Sequence, residues 1–289
     1  MSAPPPISSN SFTVRPLTSG PGAEITGVNL AAKLSDNLFK QIQDAFLQYQ
    51  VLIFRDQDLP SGCQLEFGRR FGEPQVHVLN QFHDRQHPEL YLLSNLNEEG
   101  KPDGRHPDPG TLHWHTDGSW TQRRTIATML YCLQAPREGG ETELADMYRA
   151  YDALTGAMKM RLGLLEAVHH LNFHKKRRDP HPLTAEQVRN SPPVRHKIVR
   201  THPETGKPTI YLGDMAEFIA GMDYMEGRAL IEQLNELITR SEFVYAHKWN
   251  PRDLVVWDNR CTLHRSTPYD TRNERRAMRR LTVLDQPTD

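Results

Sequence analysis

At 289 residues the chain can hold one large domain or two small ones, and 37% hydrophobic with 25% charged residues is the balance of a folded protein, not a disordered one. A formal net charge of -1 gives no basis for a general nucleic-acid or membrane-surface partner. The three cysteines, Cys63, Cys132 and Cys261, form no C-x-x-C pair, which excludes a disulfide framework and a zinc knuckle and fits a reducing cytoplasm.

The start, Met1 to Pro6, has neither the basic residues nor the apolar run of a signal peptide, and no apolar stretch approaches a membrane span. Residues 1–12, rich in Pro and Ser, are expected as a flexible N-terminal arm, and 13–289 as a single domain without repeats. Residues 12–30 read as short strands around a turn at Gly20 to Gly22. Ser35 is placed to cap a helix ending near Gln50, with Leu38, Ile42, Phe46 and Tyr49 at helical spacing. A buried strand follows at 51–54, and Ser61 is placed to cap a second helix reaching Phe71. Residues 80–110 read as loops around one strand at 90–93. Strands are expected at 112–117 and 126–133, and a turn at Gly139-Gly140. Two helices broken near Gly156 are expected over 147–167.

The least regular region is 172–195, with His174-Lys175-Lys176-Arg177-Arg178 and four prolines. It reads as a solvated loop, with a lid or partner site as the alternative. Strands resume at 197–200 and 208–212, a helix spans 225–240, and Phe243, Tyr245, His247 and Trp249 alternate along one face. A short buried run at 254–257 and a last strand at 280–284 follow. Many short strands, with helices clustered early and in the middle, predict a mixed α and β fold: a sandwich or jelly roll with helical support. Small-molecule sites in such folds sit at the mouth of the barrel.

Fourteen histidines invite metal chemistry without locating it. On an extended strand His113, His115 and Asp117 would share one face. One of these histidines with Asp117, completed by His264, would put two imidazoles and one carboxylate on one face of an ion, a set that suits non-haem Fe(II) and leaves coordination positions open. Periodicity does not choose between His113 and His115, and a polar strand end without metal is the third reading. The complement is Asp258-Asn259-Arg260-Cys261-Thr262-Leu263-His264, followed by Glu274-Arg275-Arg276-Ala277-Met278-Arg279-Arg280. Arginine presents a planar fork to carboxylates and stays charged when partly buried. An open metal position beside an anchored carboxylate describes a site that chelates a keto acid. Alternation puts Arg276 and Arg280 on one face and Arg279 on the other. Arg275 and Arg279 are expected to be solvated.

Several stretches, in order, carry a family resemblance: Gly22-Ala23-Glu24-Ile25-Thr26-Gly27-Val28, Arg69-Arg70-Phe71-Gly72, Trp114-His115-Thr116-Asp117, Gly139-Gly140-Glu141-Thr142, Ala150-Tyr151-Asp152-Ala153-Leu154, and Trp257-Asp258-Asn259-Arg260 through His264 to Arg280. The chain resembles the taurine / 2,4-dichlorophenoxyacetate dioxygenase family of Fe(II)- and 2-oxoglutarate-dependent oxygenases, and its C-terminal part is more similar to the phenoxyacetate branch. The resemblance implies a double-stranded β-helix (jelly-roll) core. It also implies His115, Asp117 and His264 as iron ligands, Thr142 as a hydroxyl contact to 2-oxoglutarate, and Arg276 on the distal carboxylate of that cosubstrate. Arg280 matches the arginine that holds an acidic substrate, and His77 matches a substrate-contacting histidine of the taurine branch.

The implied reaction uses O2 to hydroxylate a C–H bond of a small anionic organic substrate, a carboxylate, sulfonate or sulfate, with succinate and CO2 as co-products. A heteroatom on the hydroxylated carbon would lead to ether or C–S cleavage. The alternatives are desaturation or cyclisation at the same centre, a zinc-type hydrolase, and a non-catalytic jelly-roll binding protein. No nucleic-acid or membrane partner is expected, and the resemblance implies a homo-oligomer.

Overall fold

Alternation along four strands that are buried on both faces sets the architecture. In the computed structural model, which describes residues 8–9, 12–179 and 182–285, Val51–Phe54, Leu254–Asp258, Thr125–Gln134 and Ala277–Leu284 lie side by side. Their alternate residues serve two different cores. Leu52, Phe54, Leu254, Val256, Met129 and Leu281 face one way, packed with Phe39, Phe46 and Phe67 of the helices Asp36–Tyr49 and Ser61–Arg69. Val51, Ile53, Val255, Trp257, Leu130 and Met278 face the other way and pack with Leu144 and Trp249. Leu144 belongs to a second sheet of three antiparallel strands, Val244–His247, Thr142–Asp146 and Thr262–Ser266. The result is a mixed α and β fold in which a nine-stranded sheet lies between helices and a smaller sheet. Among the described residues no helix is long and apolar enough to cross a membrane.

The N-terminal arm expected over 1–12 falls mostly outside the described residues, but Ser8–Ser9 pairs antiparallel with the start of Phe12–Pro16. Ser35 caps the first helix as expected, its Oγ accepting from the Leu38 N–H at 3.2 Å. Ser61 does not cap the second: Pro60 holds that position and Ser61 is the first helical residue. The Ser61 hydroxyl is used elsewhere, accepting from Arg279 Nη1 at 2.8 Å. Arg279 is therefore not solvated. It is buried against the helix side of the sheet, where Gln64 Oε1 at 2.6 Å and the Leu59 carbonyl also accept its N–H groups. Arg275, by contrast, is exposed as expected.

Two other expectations fail for identifiable reasons. The helical reading of 147–167 runs too far: helices span Met147–Asp152 and Gly156–Leu162, and Glu166–His169 is a strand between Val194–Lys197 and Ala216–Ile219. The region 172–195 is not a solvated loop. It begins with the helix Leu171–Arg178 and continues with Ala185–Arg189, which Thr184 and Gln187 start as a capping box. His174 and Lys175, in the middle of the basic run, are buried. Carboxylates close to that helix make the burial tolerable: Lys175 pairs with Asp108 and Asp179, each at 2.8 Å, and His174 with Asp214 at 2.9 Å.

Candidate metal and cosubstrate site

His264 lies on the strand Thr262–Ser266 at the edge of the smaller sheet, and the segment beside it is not the strand expected at 112–117. A 3₁₀ turn ends at Leu112, and only His115 pairs with the sheet. It does so through reciprocal backbone bonds to His264 of 3.0 and 2.8 Å. The chain then turns at Asp117 through Gly118, whose φ of +70° favours glycine and where a Cβ would lie 1.8 Å from Thr125 Oγ1. Over 113–117 the backbone is no regular strand, and the equivalence of His113 and His115 is lost with it. The His115 and His264 rings face each other with centroids 4.2 Å apart. The Asp117 carboxylate lies 4.0 Å from His115 Nε2 and 3.6 Å from His264 Nε2. His113 contributes its carbonyl instead, which accepts from His115 Nδ1 at 2.7 Å. That bond fixes the tautomer of His115 and leaves the Nε2 lone pair facing Asp117.

Burial lowers the pKa of both imidazoles, that of His264 further, where His115 beside it adds to the effect. Burial pushes the Asp117 carboxyl up, but Arg280, with Nη1 3.1 Å from Oδ1, together with His264, His115 and the Thr128 hydroxyl outweighs it and holds the group below the usual carboxylate range. The cluster therefore offers two neutral imidazoles and one ionised carboxylate, with one donor atom from each mutually within 4.8 Å. The Nε2-to-carboxylate separations are too long for good hydrogen bonds. Neutral nitrogen and anionic oxygen donors, deprotonated and not tied to one another, fit a divalent metal ion.

Behind the cluster runs a chain of hydrogen bonds that sequence reasoning missed. Trp257 Nε1 donates to Asn259 Oδ1 at 3.1 Å, Asn259 Nδ2 to Thr128 Oγ1 at 2.9 Å, and Thr128 Oγ1 to Asp117 Oδ2 at 2.7 Å. Asn259 lies within the quoted motif, but Thr128 was signalled only by being a polar residue in an otherwise buried strand. Thr128→Val keeps the side-chain shape and removes the last bond in the chain. Iron affinity is expected to fall about 10–100-fold, as for other groups that orient a metal ligand. An anaerobic Fe(II) titration measures this; unchanged affinity would mean that the chain does not orient Asp117.

Two small cavities flank the cluster. One is lined by His264, Thr142, Arg276 and Arg280. Thr142 Oγ1 accepts from Trp249 Nε1 at 3.1 Å, so its own O–H is free to donate. Arg280 on the strand Ala277–Leu284 and Arg276 just before it reach the same cavity, as expected of the pair. Arg276 is buried, its Nε donating to the Gly140 carbonyl at 3.2 Å, and among the described residues it has no carboxylate partner. Gly140 allows this approach: its φ is +68°, and a Cβ would lie 3.2 Å from Arg276 Nε.

The other cavity is lined by His115, Asp117, Arg280 and His77, with Tyr91, Trp120, Leu79, Leu171 and Met215 as its apolar part. His77 Nδ1 accepts from the Leu79 N–H at 3.1 Å, which leaves the ring proton on Nε2. Burial, then Arg280, pushes the His77 pKa down to about 3, so the ring is neutral. The structure thus brings all seven predicted site residues around one cluster. Lys175, Asp108 and His174, which sequence reasoning left out, also reach the second cavity.

The sequence model of the taurine catabolism dioxygenase TauD, TfdA family matches residues 13–282. The chain is 36% identical over 271 residues to an alpha-ketoglutarate-dependent 2,4-dichlorophenoxyacetate dioxygenase of Cupriavidus pinatubonensis, covering 91% of this chain and 94% of that protein. It is 31% identical over 280 residues to an (S)-phenoxypropionate/alpha-ketoglutarate-dioxygenase of Sphingobium herbicidovorans, with 92% and 93% covered. The crystal structure of AAD-2 in complex with Mn(II) and N-oxalylglycine matches with a TM-score of 0.84 at 34% identity, covering 95% of this chain and 97% of that one.

Proposed function

The chain belongs to the taurine catabolism dioxygenase TauD, TfdA family of 2-oxoglutarate-dependent enzymes, and from that membership we propose that it hydroxylates a small organic acid with His115, Asp117 and His264 holding Fe(II). Bound Fe(II), with 2-oxoglutarate and O2, supplies the oxidation of a C–H bond to C–OH, and succinate and CO2 leave. The protein's residues supply position, charge and exclusion of water. Three ligands on one side of the site leave the opposite side open. Thr142 donates its hydroxyl, and Arg276 its fork, to the distal carboxylate of the cosubstrate. The observation that carries this reading is the buried guanidinium of Arg276, which faces a cavity beside the ligand cluster and among the described residues has no carboxylate partner.

Arg280 serves the substrate. In the metal-free protein it neutralises Asp117, and its buried Nε has no partner among the described residues. Once Asp117 is a ligand, Arg280 has N–H groups to turn toward the acid group, with His77 lining the same cavity. The apolar part of the cavity, with Trp120, Leu79, Leu171 and Met215, suits an apolar body such as an aryloxy group, in line with the phenoxy-acid relatives. The facing large and small sheets, with the cluster at one end, support a double-stranded β-helix core. A zinc-type hydrolase would give no role to Arg276.

The test is anaerobic addition of Fe(II) and 2-oxoglutarate to metal-free protein. A weak visible charge-transfer band is expected, followed in air by succinate release that depends on a phenoxy acid or an alkyl sulfate. Well-folded, iron-loaded protein without the band would overturn the oxygenase reading and favour the hydrolase or a binding protein.

A further inference from the structure

The cavity beside Thr142 and Arg276 has a third polar side chain to which the reading above gives no role. Ser266 ends the strand Thr262–Ser266, two residues beyond His264, so alternation puts both side chains on one face. It is buried and lines the same cavity as Thr142, His264 and Arg276. Across the smaller sheet its register partner is Thr142. His264 uses its backbone N–H and C=O on His115, on the side away from the strand Thr142–Asp146. Ser266, two positions on, has the same backbone orientation. Thr142 and Ser266 therefore form the pair without mutual backbone bonds, in which Cα atoms come within about 4.5 Å and side chains are closest. Just beyond, the Thr267 N–H donates to the Glu141 carbonyl at 2.9 Å and the Gly140 N–H to the Pro268 carbonyl at 3.2 Å. This pairing fixes Ser266 relative to Gly140, whose carbonyl holds Arg276 Nε.

The Ser266 hydroxyl is poorly used by the fold. It donates to the carbonyl of the next residue, Thr267, at 3.3 Å, longer than a good O–H···O bond. Taking the oxygenase reading as its premise, we propose that Ser266 donates this hydroxyl to the distal carboxylate of 2-oxoglutarate, as a third binding residue beside Thr142 and Arg276. An ionised carboxylate accepts at about four lone-pair sites on its two oxygens. With Nε engaged by Gly140, the Arg276 fork supplies its two terminal nitrogens, and the Thr142 and Ser266 hydroxyls supply the other two donors. The remaining arginine of this wall does not compete. Arg265 Nε is held by Glu143 Oε2 at 2.6 Å, and its guanidinium lies over the Trp114 ring at 4.8 Å. The two strands of the smaller sheet thus each contribute one hydroxyl, at directly opposed positions, to the same anion.

Ser266→Ala removes one oxygen and little else, so it separates a binding role from a structural one. The probe is 2-oxoglutarate, titrated anaerobically into Fe(II)-loaded wild type and variant and read by the charge-transfer band. The variant is expected to need about tenfold more 2-oxoglutarate or more for half-saturation, the worth of one hydrogen bond to a charged group. Its Fe(II) affinity without cosubstrate and its urea midpoint should match wild type, because the fold loses only the long bond to Thr267. Equal half-saturation in wild type and Ser266→Ala would overturn the proposal. So would a loss accompanied by an equal loss of Fe(II) affinity or by a lowered urea midpoint, which would make Ser266 a structural residue. Absence of the band in wild type would overturn the oxygenase reading and this proposal with it, whereas a wild-type band that Ser266→Ala leaves unchanged would overturn this proposal alone.

Discussion

Asp117→Ala is expected to abolish the anaerobic charge-transfer band and substrate-dependent succinate release, and also to weaken the metal-free fold. The first effect follows from loss of the one anionic ligand. The second follows from Arg280, whose ion pair among the described residues is with Asp117 and which is buried. Removing one partner of a buried pair leaves the other charge uncompensated, at about 3–5 kcal/mol. Urea denaturation of metal-free wild type and variant measures this. The pH dependence has a fixed sign. The folded-state carboxyl of Asp117 lies below its ordinary value, so the pair contributes fully above the unfolded pKa, and the contribution is lost as pH falls through the folded one. Asp117→Asn, which keeps an acceptor for Thr128, should lose the band while losing less stability. A band that survives in Asp117→Ala would remove this residue from the ligand set.

Much of the site was legible because its residues sit on regular alternation. Arg276, just before the strand Ala277–Leu284, and Arg280 within it line one cavity, and Arg279 takes the other face, as their spacing suggests. Burial of Arg279 was not legible, because spacing gives a side chain's direction but not what covers it. Here the cover is a helix more than two hundred positions earlier in the chain, with Gln64 and the Leu59 carbonyl as acceptors. The choice between His113 and His115 was open for a related reason. It depended on backbone that is not a regular strand, with a 3₁₀ turn ending at Leu112 and only His115 paired to the sheet, and residue spacing does not reveal this. The helix at 171–178 was misread because five consecutive polar or charged residues normally face water. Its partners, Asp108 and Asp214, come from distant segments, and without them burial of His174 and Lys175 would be prohibitive. Ion pairs between distant segments are what a single sequence conceals best.

Arg276→Ala is expected to raise the 2-oxoglutarate concentration for half-saturation by about a hundredfold or more, since two charge-assisted hydrogen bonds at roughly 1.5–3 kcal/mol each are lost. Arg276→Lys should recover only part, because a point charge does not reproduce a planar fork. Stability is expected to move the opposite way to that of Asp117→Ala. Among the described residues Arg276 has no ion pair, and burial pushes its pKa down. Its side-chain bond is one donation to the Gly140 carbonyl, and the Asn95 contact uses its backbone N–H, which alanine retains. Removing the guanidinium therefore takes an uncompensated charge out of the interior, and the cosubstrate-free protein should be as stable as wild type or more so. Succinate release against 2-oxoglutarate concentration and urea denaturation without cosubstrate test the two halves separately. Unchanged half-saturation would take Arg276 out of the cosubstrate site, and marked destabilisation would make it a structural residue. Both expected results together would mean that the fold tolerates a buried, unpaired cation because its anion arrives with the cosubstrate.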